Sequence, residues 1–406
     1  MSETCVIVGA SHAAAQLAPT LRQEGWQGRI IMVGEEPWIP YHRPPLSKAF
    51  LSGEKTLQDI YIRPQPVYEK AGIEFMLNTR VAAIDREKKS LVLGTGATLG
   101  YDRLVLTVGS RVRKVDLPGM GLAGVYYLRD VSDVEQIRSR VAAGRRAVIV
   151  GGGYIGLETA AVLCKLGMQV TVLEMMERVL QRVTAPEVSA FFQRVHAEEG
   201  VDIRCGVSVT AIAGEGSVEK VICNDATECA ADLVVVGVGI VPNVELAEAA
   251  GLEVNNGIVV DAFARTSDAD ILAAGDCTFH ENALYGRHIR LESVQNATDQ
   301  ARTAALTLCG KGKAYDALPW FWSDQYDLKL QIAGLSQGYD EVVIRGDQEH
   351  SRSFAAFYLK DGVVIAVDAV NRAPEFMMGK RLISDRRAVD RERLADETVS
   401  MKELAT

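Results

Sequence analysis

Closely spaced cysteines are missing from this sequence. No two of its seven cysteines form a C-x-x-C or C-x4-C pair, so neither a redox-active dithiol nor a cysteine-ligated cluster is indicated. The six histidines also lack the spacing of metal ligands, and we expect no metal site. We interpret His12, His42 and His196 as turn or surface residues.

Long apolar runs and an excess of positive charge are absent as well. No stretch reaches the roughly 18 consecutive apolar residues of a membrane helix. The formal net charge is −9, which argues against extensive nucleic-acid binding. A predicted strand begins at Cys5 and leaves no room for a signal peptide, so we expect a cytoplasmic protein. The 406 residues are enough for two or three domains.

The strongest motif present is a glycine-rich turn between a predicted strand, 146–150, and a predicted helix. It has the complete G-x-G-x-x-G pattern, with Gly151, Gly153 and Gly156 as its three glycines. The first glycine permits a tight turn, the second lets a pyrophosphate approach the backbone, and the third lets the helix pack closely on the strand. The pattern predicts a dinucleotide site whose phosphates lie at the helix N-terminus.

The strand after this turn ends in an acidic residue, Glu174. It follows the turn by about 20 residues, the spacing at which an acid binds a ribose 2′-hydroxyl. The same carboxylate would repel a 2′-phosphate, so we expect a preference for NADH over NADPH. Arg178 lies nearby in the sequence and would weaken that preference if it faced the ribose.

A less complete copy of this pattern opens the chain. Only Gly9 of the three glycines is present after the strand Cys5–Val8, and Ser11 and Ala14 hold the other two positions. Alanine is an accepted third residue, serine is small, and Glu35 again lies at the end of the next strand. An ordinary strand–helix turn is the alternative for this motif alone.

The C-terminal part, from about Pro319, has a different pattern. It predicts an antiparallel sheet with a helix or two, formed by the alternating segments Leu328–Ala333, Glu341–Arg345, Ser353–Leu359 and Val363–Val370. The whole chain is therefore predicted to be α/β, with two Rossmann-like, doubly wound dinucleotide-binding domains and a C-terminal α+β domain.

Four further stretches carry a family resemblance: 41–48 (YHRPPLSK), 104–110 (LVLTVGS), 271–277 (ILAAGDC) and 319–325 (PWFWSDQ). With the two turns, they resemble the NADH-dependent ferredoxin reductases of bacterial oxygenase systems, which are glutathione-reductase-like flavoproteins with two dinucleotide-binding domains. The resemblance covers essentially the whole chain. It implies that NADH reduces a bound FAD, which passes single electrons to a [2Fe–2S] ferredoxin that feeds a cytochrome P450 or a ring-hydroxylating oxygenase.

The resemblance also implies a domain division and a set of binding residues. FAD would be held by residues 1–110 and 240–319, NAD by 111–239, and 320–406 would form the C-terminal domain, in a monomer or weak homodimer. The residues implied for FAD are Gly9, Ser11, Ala13, Ala14, Glu35, Pro45, Lys48, Val81, Thr107, Gly109, Arg129, Asp276, Val294 and Trp322. Those implied for NAD are Gly151, Gly153, Ile155, Gly156, Glu174 and Gly239.

Two departures from the family pattern concern the FAD half. The family usually has glycine at position 11, and it often has Ala-Thr-Gly where this chain has Thr107-Val108-Gly109. The resemblance further places Lys48 and Glu158 together beside the flavin N5 edge, where they would act in catalysis. The alternatives are a helix-dipole role for Glu158 and an ordinary solvated position for Lys48.

Other functions and partners stay open to different degrees. Disulfide reductases and peroxide-reducing NADH oxidases need a thiol in the first unit, and this chain has no cysteine between Glu35 and Gly109. A rubredoxin reductase, an NADH oxidase-type flavoprotein, a flavoprotein without a protein acceptor and a non-catalytic NADH sensor remain alternatives. By resemblance, the ferredoxin would dock on Arg302, Lys329 and Lys380, which are otherwise ordinary solvated charges.

Overall fold

The computed structural model describes residues 3–404, which divide into two compact units. The first unit contains residues 3–42, 57–111 and 240–319. The second unit contains residues 43–56, 112–239 and 320–404. The division into three domains stays a prediction.

The described part of the chain contains parallel and antiparallel strands, with helices between them. In the described part, the strands are β1 (Thr4–Val8), β2 (Arg29–Val33), β3 (Ile73–Met76), β4 (Val81–Asp85), β5 (Ser90–Leu93), β6 (Thr98–Gly100), β7 (Arg103–Leu106), β8 (Ser110–Val112), β9 (Val125–Tyr127), β10 (Arg146–Val150), β11 (Gln169–Glu174), β12 (Asp202–Cys205), β13 (Val209–Ala213), β14 (Lys220–Cys223), β15 (Glu228–Ala230), β16 (Leu233–Val236), β17 (Ile240–Pro242), β18 (Ile258–Val260), β19 (Ile271–Ala273), β20 (Thr278–Asn282), β21 (Arg287–Ile289), β22 (Trp320–Gln325), β23 (Leu328–Gly334), β24 (Glu341–Asp347), β25 (Ser353–Lys360) and β26 (Val363–Val370).

The helices are α1 (His12–Gln23), α2 (Leu57–Ile60), α3 (Gln65–Lys70), α4 (Val131–Arg138), α5 (Tyr154–Lys165), α6 (Pro186–Glu198), α7 (Glu245–Ala249), α8 (Val294–Leu308), α9 (Ala373–Asp385), α10 (Arg391–Ala395) and α11 (Met401–Leu404), with a short 3-10 helix at Pro44–Ser47. Within residues 3–404, no helix combines the length and the apolar character that a membrane crossing requires.

The first unit is built on a parallel sheet with the strand order β19-β7-β1-β2-β3. Successive residues of a strand point to opposite faces, and here both faces are buried. Cys5 and Ile7 belong to the core formed with α1 and α8, while Val6 and Val8 belong to the core formed with β4 and β5. The continuous apolar run of β1 is therefore a consequence of burial on both sides.

The second unit contains a corresponding parallel sheet with the order β12-β11-β10-β16-β9. The small antiparallel sheet β13-β14-β15 packs on it through a shared core that includes Val148, Val221 and Val234. Helix α5, which follows the complete glycine motif, packs against β10 and β11. The repeat of the strand–turn–helix–strand unit predicted from the sequence is confirmed.

The remaining sheet of the second unit is antiparallel, with the order β22-β23-β26-β25-β24, and α9 packs on β26 and β23. The four strands predicted after residue 327 are present. The first strand, β22, was not predicted, because its three aromatic residues obscure the alternation of buried and exposed positions. The predicted fold class is confirmed.

A buried carboxyl group in this sheet faces two tyrosines. Asp368 on β26 is 1% exposed, and the Tyr358 hydroxyl donates to its Oδ2 over 2.5 Å. Burial raises the pKa of Asp368 to about 7, against an ordinary value of 3.8. Burial, and to a smaller extent the charge of Asp368, raises the pKa of Tyr154, which belongs to the same buried cluster.

This raised pKa predicts that the second unit loses stability as the pH rises. Between the two pKa values, the unfolded chain ionises Asp368 while the folded chain keeps it neutral, so each pH unit costs about 1.4 kcal/mol. Asp368→Asn removes this dependence. Its melting temperature relative to wild type should therefore rise between about pH 5 and pH 7 and level off above. Exposed Asp361→Asn is the control, and an equal pH profile for the two variants would contradict the prediction.

Candidate functional site

The complete glycine motif forms a turn that only glycine accommodates at two of its positions. Gly151 has φ +113°, and a Cβ there would lie 2.3 Å from the Gly237 carbonyl oxygen. A Cβ on Gly156 would lie 2.1 Å from the Gly151 oxygen, so this glycine lets α5 pack against the turn. Nothing lies within 4 Å of a Cβ on Gly153, which begins α5 without a side-chain cap. The open face and uncapped N-terminus fit a pyrophosphate.

Glu174 is held beside this turn by backbone N–H groups. Its Oε2 accepts a hydrogen bond from the Gly152 N–H over 2.7 Å, and its Oε1 accepts one from the Met176 N–H over 2.8 Å. The carboxylate therefore has a defined position at the end of β11. Each oxygen keeps a second lone pair, which suits it to accept hydrogen bonds from a ribose diol.

Arg178 is committed to another part of the second unit. Its guanidinium donates to the carbonyls of Thr184 and Gln181, over 2.9 and 3.2 Å, and to the Ser189 hydroxyl over 2.5 Å. These bonds tie the loop before α6 together. They leave the Glu174 carboxylate without this arginine as a counter-charge for a 2′-phosphate.

The other two residues implied for NAD also lie in the second unit. Ile155, in the first turn of α5, is 45% exposed, which is unusual for a large apolar side chain. Gly239 has φ +102°, and its carbonyl accepts the Arg113 N–H over 2.9 Å. Ile155 thus offers apolar surface next to the open face of the glycine turn.

The incomplete motif forms a similar turn in the first unit. Gly9 has φ +108°, and a Cβ there would lie 2.2 Å from the Thr107 carbonyl oxygen. The Thr107 hydroxyl donates to the carbonyls of Val8 and Gly9, each over 3.0 Å. The threonine that departs from the family pattern therefore closes the turn at the carboxyl ends of β1 and β7.

Small residues follow this turn where the glycines are missing. Ser11 is the extended N-cap of α1, and Ala14 is completely buried in the helix. Ala13 lies where its Cβ would be 3.5 Å from a Cβ on Gly275. The arrangement keeps the backbone accessible at the helix start and brings α1 next to the segment after β19, which fits a second dinucleotide.

Two residues implied for FAD lie at the carboxyl ends of parallel strands of the first unit. Gly109 follows β7 with φ +61°, and Asp276 follows β19 and accepts a hydrogen bond from the Ser110 hydroxyl over 3.0 Å. Val81 begins β4 and Val294 begins α8. Ligands of doubly wound sheets bind at this edge, so the placement fits a cofactor.

Glu35 differs from its counterpart Glu174. It lies after β2 with its side chain 69% exposed, and its nearest cation is Arg80, with Nε 3.6 Å from Oε1. Because this side chain is largely exposed and its ion pair is long, the carboxylate is less constrained than that of Glu174. Its position at the strand end matches the prediction, and its role with the adenosine ribose stays a prediction.

Lys48 and Glu158 form an ion pair in the second unit, with Nζ 2.7 Å from Oε2. The Glu158 side chain is 4% exposed and that of Lys48 is 19% exposed. The structure therefore brings together two residues that are far apart in the sequence. Lys48 is therefore not an ordinary solvated lysine, and Glu158 has a direct charged partner besides its place near the start of α5. The role of the two residues in catalysis stays a prediction.

Two serines complete the surroundings of the Glu158 carboxylate. The Ser47 hydroxyl donates to Oε2 and the Ser323 hydroxyl to Oε1, each over 2.6 Å. The Pro45 carbonyl accepts the Lys48 N–H over 3.0 Å, which fixes the backbone at the end of the 3-10 helix. Both carboxylate oxygens are thus hydrogen-bonded, as a buried charge requires.

Arg129 and Trp322, also implied for FAD, lie elsewhere in the second unit. The Arg129 carbonyl accepts a hydrogen bond from Arg43 Nη1 over 2.8 Å, just before α4. Trp322 lies on β22, and its ring centroid is 5.6 Å from that of Trp320.

The sequence did not reveal the serines that hydrogen-bond to Glu158, and it misplaced two histidines. Ser323 follows two tryptophans in a segment singled out for its aromatic residues, and no local pattern connects it with α5. His12 and His196 were interpreted as turn or surface residues, which is wrong. His12 lies on α1 and is 8% exposed. His196 is 0% exposed, because the last turn of α6 places its ring against β22, with Nε2 2.8 Å from Gln325 Oε1.

Thiols and metal ligands do not form a redox centre in residues 3–404. All seven cysteines are free, and burial raises the pKa of Cys5 and Cys277 to about 12, so both stay protonated at neutral pH. No cluster of three or more histidine, cysteine, aspartate or glutamate side chains able to hold a metal occurs in this range.

The chain is similar to known reductases over its full length. Residues 3–301 match the family described as pyridine nucleotide-disulphide oxidoreductase, and residues 320–405 match the reductase C-terminal family. Putidaredoxin reductase CamA of Pseudomonas putida is 46% identical, with 99% of this chain and 97% of that protein covered. The 5,5′-dehydrodivanillate O-demethylase ferredoxin reductase subunit of Sphingobium sp. is 45% identical, with 98% of each covered.

A solved structure has the same fold. The crystal structure of the covalent putidaredoxin reductase–putidaredoxin complex matches with a TM-score of 0.96 and 46% identity, covering 99% of this chain and 98% of that one.

The constrained Glu174 carboxylate predicts selectivity for NADH. Hydrogen bonds to charged groups contribute about 1.5–3 kcal/mol, so Glu174→Ala should reduce the ratio of kcat/KM for NADH to that for NADPH by roughly ten-fold or more. The ratio is measured because Glu174→Ala also removes the hydrogen bond from the Gly152 N–H. That loss changes kcat/KM for NADH and NADPH alike and cancels in the ratio. Glu177→Ala, which removes an exposed neighbouring charge, should leave the ratio unchanged. Equal kcat/KM for both nucleotides in the wild type would contradict the prediction.

Proposed function

The chain belongs to the pyridine nucleotide-disulphide oxidoreductase family, and we propose that it is an FAD-containing ferredoxin reductase that takes a hydride from NADH and delivers single electrons to a small [2Fe–2S] ferredoxin. The ferredoxin would serve a cytochrome P450 or a ring-hydroxylating oxygenase. A cytoplasmic location and a monomeric or weakly dimeric state are part of the proposal.

The observation that carries the proposal is the presence of two dinucleotide turns in a chain with no C-x-x-C or C-x4-C motif and no cysteine between Glu35 and Gly109. One turn lies in each unit, at Gly9 and at Gly151, and each is formed at the carboxyl end of a parallel strand. A chain that binds two dinucleotides and has only free cysteines is suited to pass electrons from NADH through a flavin to an external acceptor. It is not suited to disulfide reduction, which gives the family its name.

In the proposal, the first unit holds FAD, which when bound accepts a hydride and releases electrons singly. The uncapped start of α1 and the Gly9 turn receive the pyrophosphate, and Glu35 receives the adenosine ribose. Asp276 hydrogen-bonds the ribityl chain, and the backbone groups of Val81 and Val294 contact the adenine and the flavin ring.

The second unit would bind NADH. The Gly153 face receives its pyrophosphate, Glu174 accepts hydrogen bonds from its ribose, and Ile155 covers part of its apolar surface. Positioning and the exclusion of water are the main requirements of hydride transfer, so rigid small residues are more useful here than acid–base groups.

Lys48 and Glu158 would act at the reacting end of the flavin. Their buried ion pair places a fixed positive and a fixed negative charge together, and such preorganised charges act strongly where water is excluded. We propose that Lys48 faces the position where negative charge develops and that Glu158 holds the lysine there. Neither residue needs to transfer a proton for the hydride to pass.

The acceptor surface is proposed to be basic and partly apolar. Lys380 on α9 lies over the rings of Trp320 and Phe376, with Nζ 5.6 and 5.5 Å from their centroids, and neighbouring Met377 is 60% exposed. Electron-transfer partners bind through small, transient interfaces. A local patch of this kind can receive an acidic ferredoxin although the whole chain carries a net charge of −9.

The proposal is tested by supplying candidate acceptors to the purified, FAD-loaded protein. NADH-dependent reduction of cytochrome c should require an added [2Fe–2S] ferredoxin and should be much slower with rubredoxin. Faster turnover with rubredoxin would favour a rubredoxin reductase. Rapid oxygen consumption without any acceptor protein would favour an NADH oxidase, and failure to oxidise NADH with ferricyanide would favour a non-catalytic sensor.

Glu158→Gln should slow flavin reduction without preventing FAD binding. The amide keeps the volume and the Ser323 contact but removes the charge that holds Lys48, so the reduction rate at saturating NADH should fall about ten-fold or more. Anaerobic stopped-flow absorbance measures the rate, and the flavin spectrum of the purified protein measures FAD content. A wild-type rate and flavin potential would contradict the role.

Charge reversal at each proposed docking residue should weaken ferredoxin binding alone. Arg302→Glu in the first unit and Lys380→Glu in the second should each raise the ferredoxin KM about three- to ten-fold, because rim charges act on association. High salt should also raise the ferredoxin KM, because the Debye length falls to about 3 Å at 1 M and the charges on the two proteins are then screened. Lys329→Glu tests the third predicted position.

The matched controls for these reversals are Lys70→Glu and Lys360→Glu, which change the same charge at exposed positions of each unit. They should leave the ferredoxin KM unchanged, and all variants should keep the wild-type rate with ferricyanide. If ferredoxin reduction is indifferent both to salt and to the reversals, docking is apolar or uses another surface.

A further inference from the structure

A line of buried polar side chains continues from Glu158 into the second unit. Beyond Ser323, which donates to Glu158, the Gln325 side chain donates from Nε2 to the Ser323 hydroxyl over 3.2 Å. Gln325 Oε1 is 2.8 Å from His196 Nε2, and His196 Nδ1 is 3.0 Å from the Tyr326 hydroxyl. Ser323, Gln325 and His196 are each at most 2% exposed.

The strand geometry explains why these residues meet. Phe321, Ser323 and Gln325 alternate along β22 and share one face of the strand. That face meets α5 through Tyr154 and Glu158, with the Tyr154 and Phe321 ring centroids 5.0 Å apart, and it meets α6 through His196. One strand therefore connects the helix of the glycine turn with the helix that follows β11.

The hydrogen bonds of this line all donate in one direction. Because Gln325 accepts at Oε1, His196 must carry its proton on Nε2, and its Nδ1 accepts from the Tyr326 hydroxyl. Tyr326 thus donates to His196, His196 to Gln325, Gln325 to Ser323, and Ser323 to Glu158. Aligned hydrogen bonds polarise one another, and here they all direct positive ends toward the carboxylate.

This line of hydrogen bonds can stabilise the Glu158 carboxylate, but it cannot conduct a proton to or from it. An amide donates and accepts on different atoms, so a proton arriving at Gln325 Oε1 cannot leave from Nε2 without an unfavourable tautomer. Burial also lowers the pKa of His196, which keeps the ring neutral and leaves Nδ1 as an acceptor.

We infer that Gln325 and His196 are positioning residues of the NADH reaction, which act through Ser323 to hold the Glu158 carboxylate in place for Lys48. The inference rests on the proposed role of Glu158 in flavin reduction. It assigns a function to buried residues of the C-terminal sheet and of α6.

The first test measures the coupling between His196 and Glu158 directly and needs no NADH. In protein labelled with ¹⁵N at its six histidines, the His196 signal should show the Nε2–H tautomer. Glu158→Gln should shift this signal, although the two residues lie on different helices, and Gln325→Leu should abolish the tautomer preference. A His196 signal that is unchanged in both variants overturns the inference.

The second test uses double-mutant cycles in the FAD-loaded protein. His196→Leu and Gln325→Leu should each reduce the limiting rate of flavin reduction about three- to ten-fold and leave the apparent Kd for NADH unchanged. His196→Gln, which keeps a donor near Nε2, should lose less. In the Glu158→Gln background, the same substitutions should have less than about a two-fold effect.

The control is a contact between the same elements that avoids the polar line. Arg352 on the loop before β25 bridges Glu198 and Glu199 at the end of α6 to Asp327, next to Tyr326. Arg352→Gln should lower the melting temperature but keep the wild-type limiting rate. If the leucine variants fail to fold, Tyr326→Phe, which removes only the last hydroxyl of the line, replaces them in the test. It should cause a small loss of rate in protein that retains Glu158 and no loss in the Glu158→Gln background.

The outcomes separate the two claims. If Glu158→Gln reduces the rate but the leucine variants cause equal losses in both backgrounds, or none, the inference is wrong and the proposed function stands. If Glu158→Gln leaves flavin reduction unchanged, the proposed role of Glu158 fails and the inference fails with it, even if the NMR coupling is present.

Discussion

The ion pair between Lys48 and Glu158 imposes the strictest constraint on the second unit. A buried carboxylate is costly unless hydrogen bonds and an opposite charge offset the loss of water. Here that compensation comes from the 3-10 helix before Lys48, from α5 and from β22, which must therefore be held in register with one another. A pair that contributed little to stability would still be useful, because it fixes the position of a lysine charge.

The two glycine turns have the same backbone shape but are built from different residues. In the second unit three glycines and a constrained glutamate form the turn, while in the first unit Thr107 closes it and two alanines provide the small surfaces. The backbone shape is preserved because it depends on positive φ at one position and on close approach at others. Side chains that satisfy those conditions can replace glycine.

Much of the fold was predictable from the sequence, because its signals are local. Glycine spacing, apolar runs and strand-end acids predicted both parallel sheets, and alternation predicted most of the antiparallel sheet. The surroundings of Glu158 were not predictable from local patterns. Ser323 and Gln325 lie in a strand whose aromatic residues dominate its pattern, and His196 lies on a helix whose buried face depends on packing against that strand. Pairing Lys48 with Glu158 required the family resemblance.

The most direct test of the account is an anaerobic titration of the FAD-loaded protein with NADH, followed by addition of a [2Fe–2S] ferredoxin. One equivalent of NADH should fully bleach the flavin absorbance, and the reduced protein should then reduce two equivalents of ferredoxin, because each hydride carries two electrons. A requirement for a second equivalent of NADH would reveal an additional redox centre such as a thiol pair. That result, or a reduced flavin that fails to reduce ferredoxin, would contradict the account.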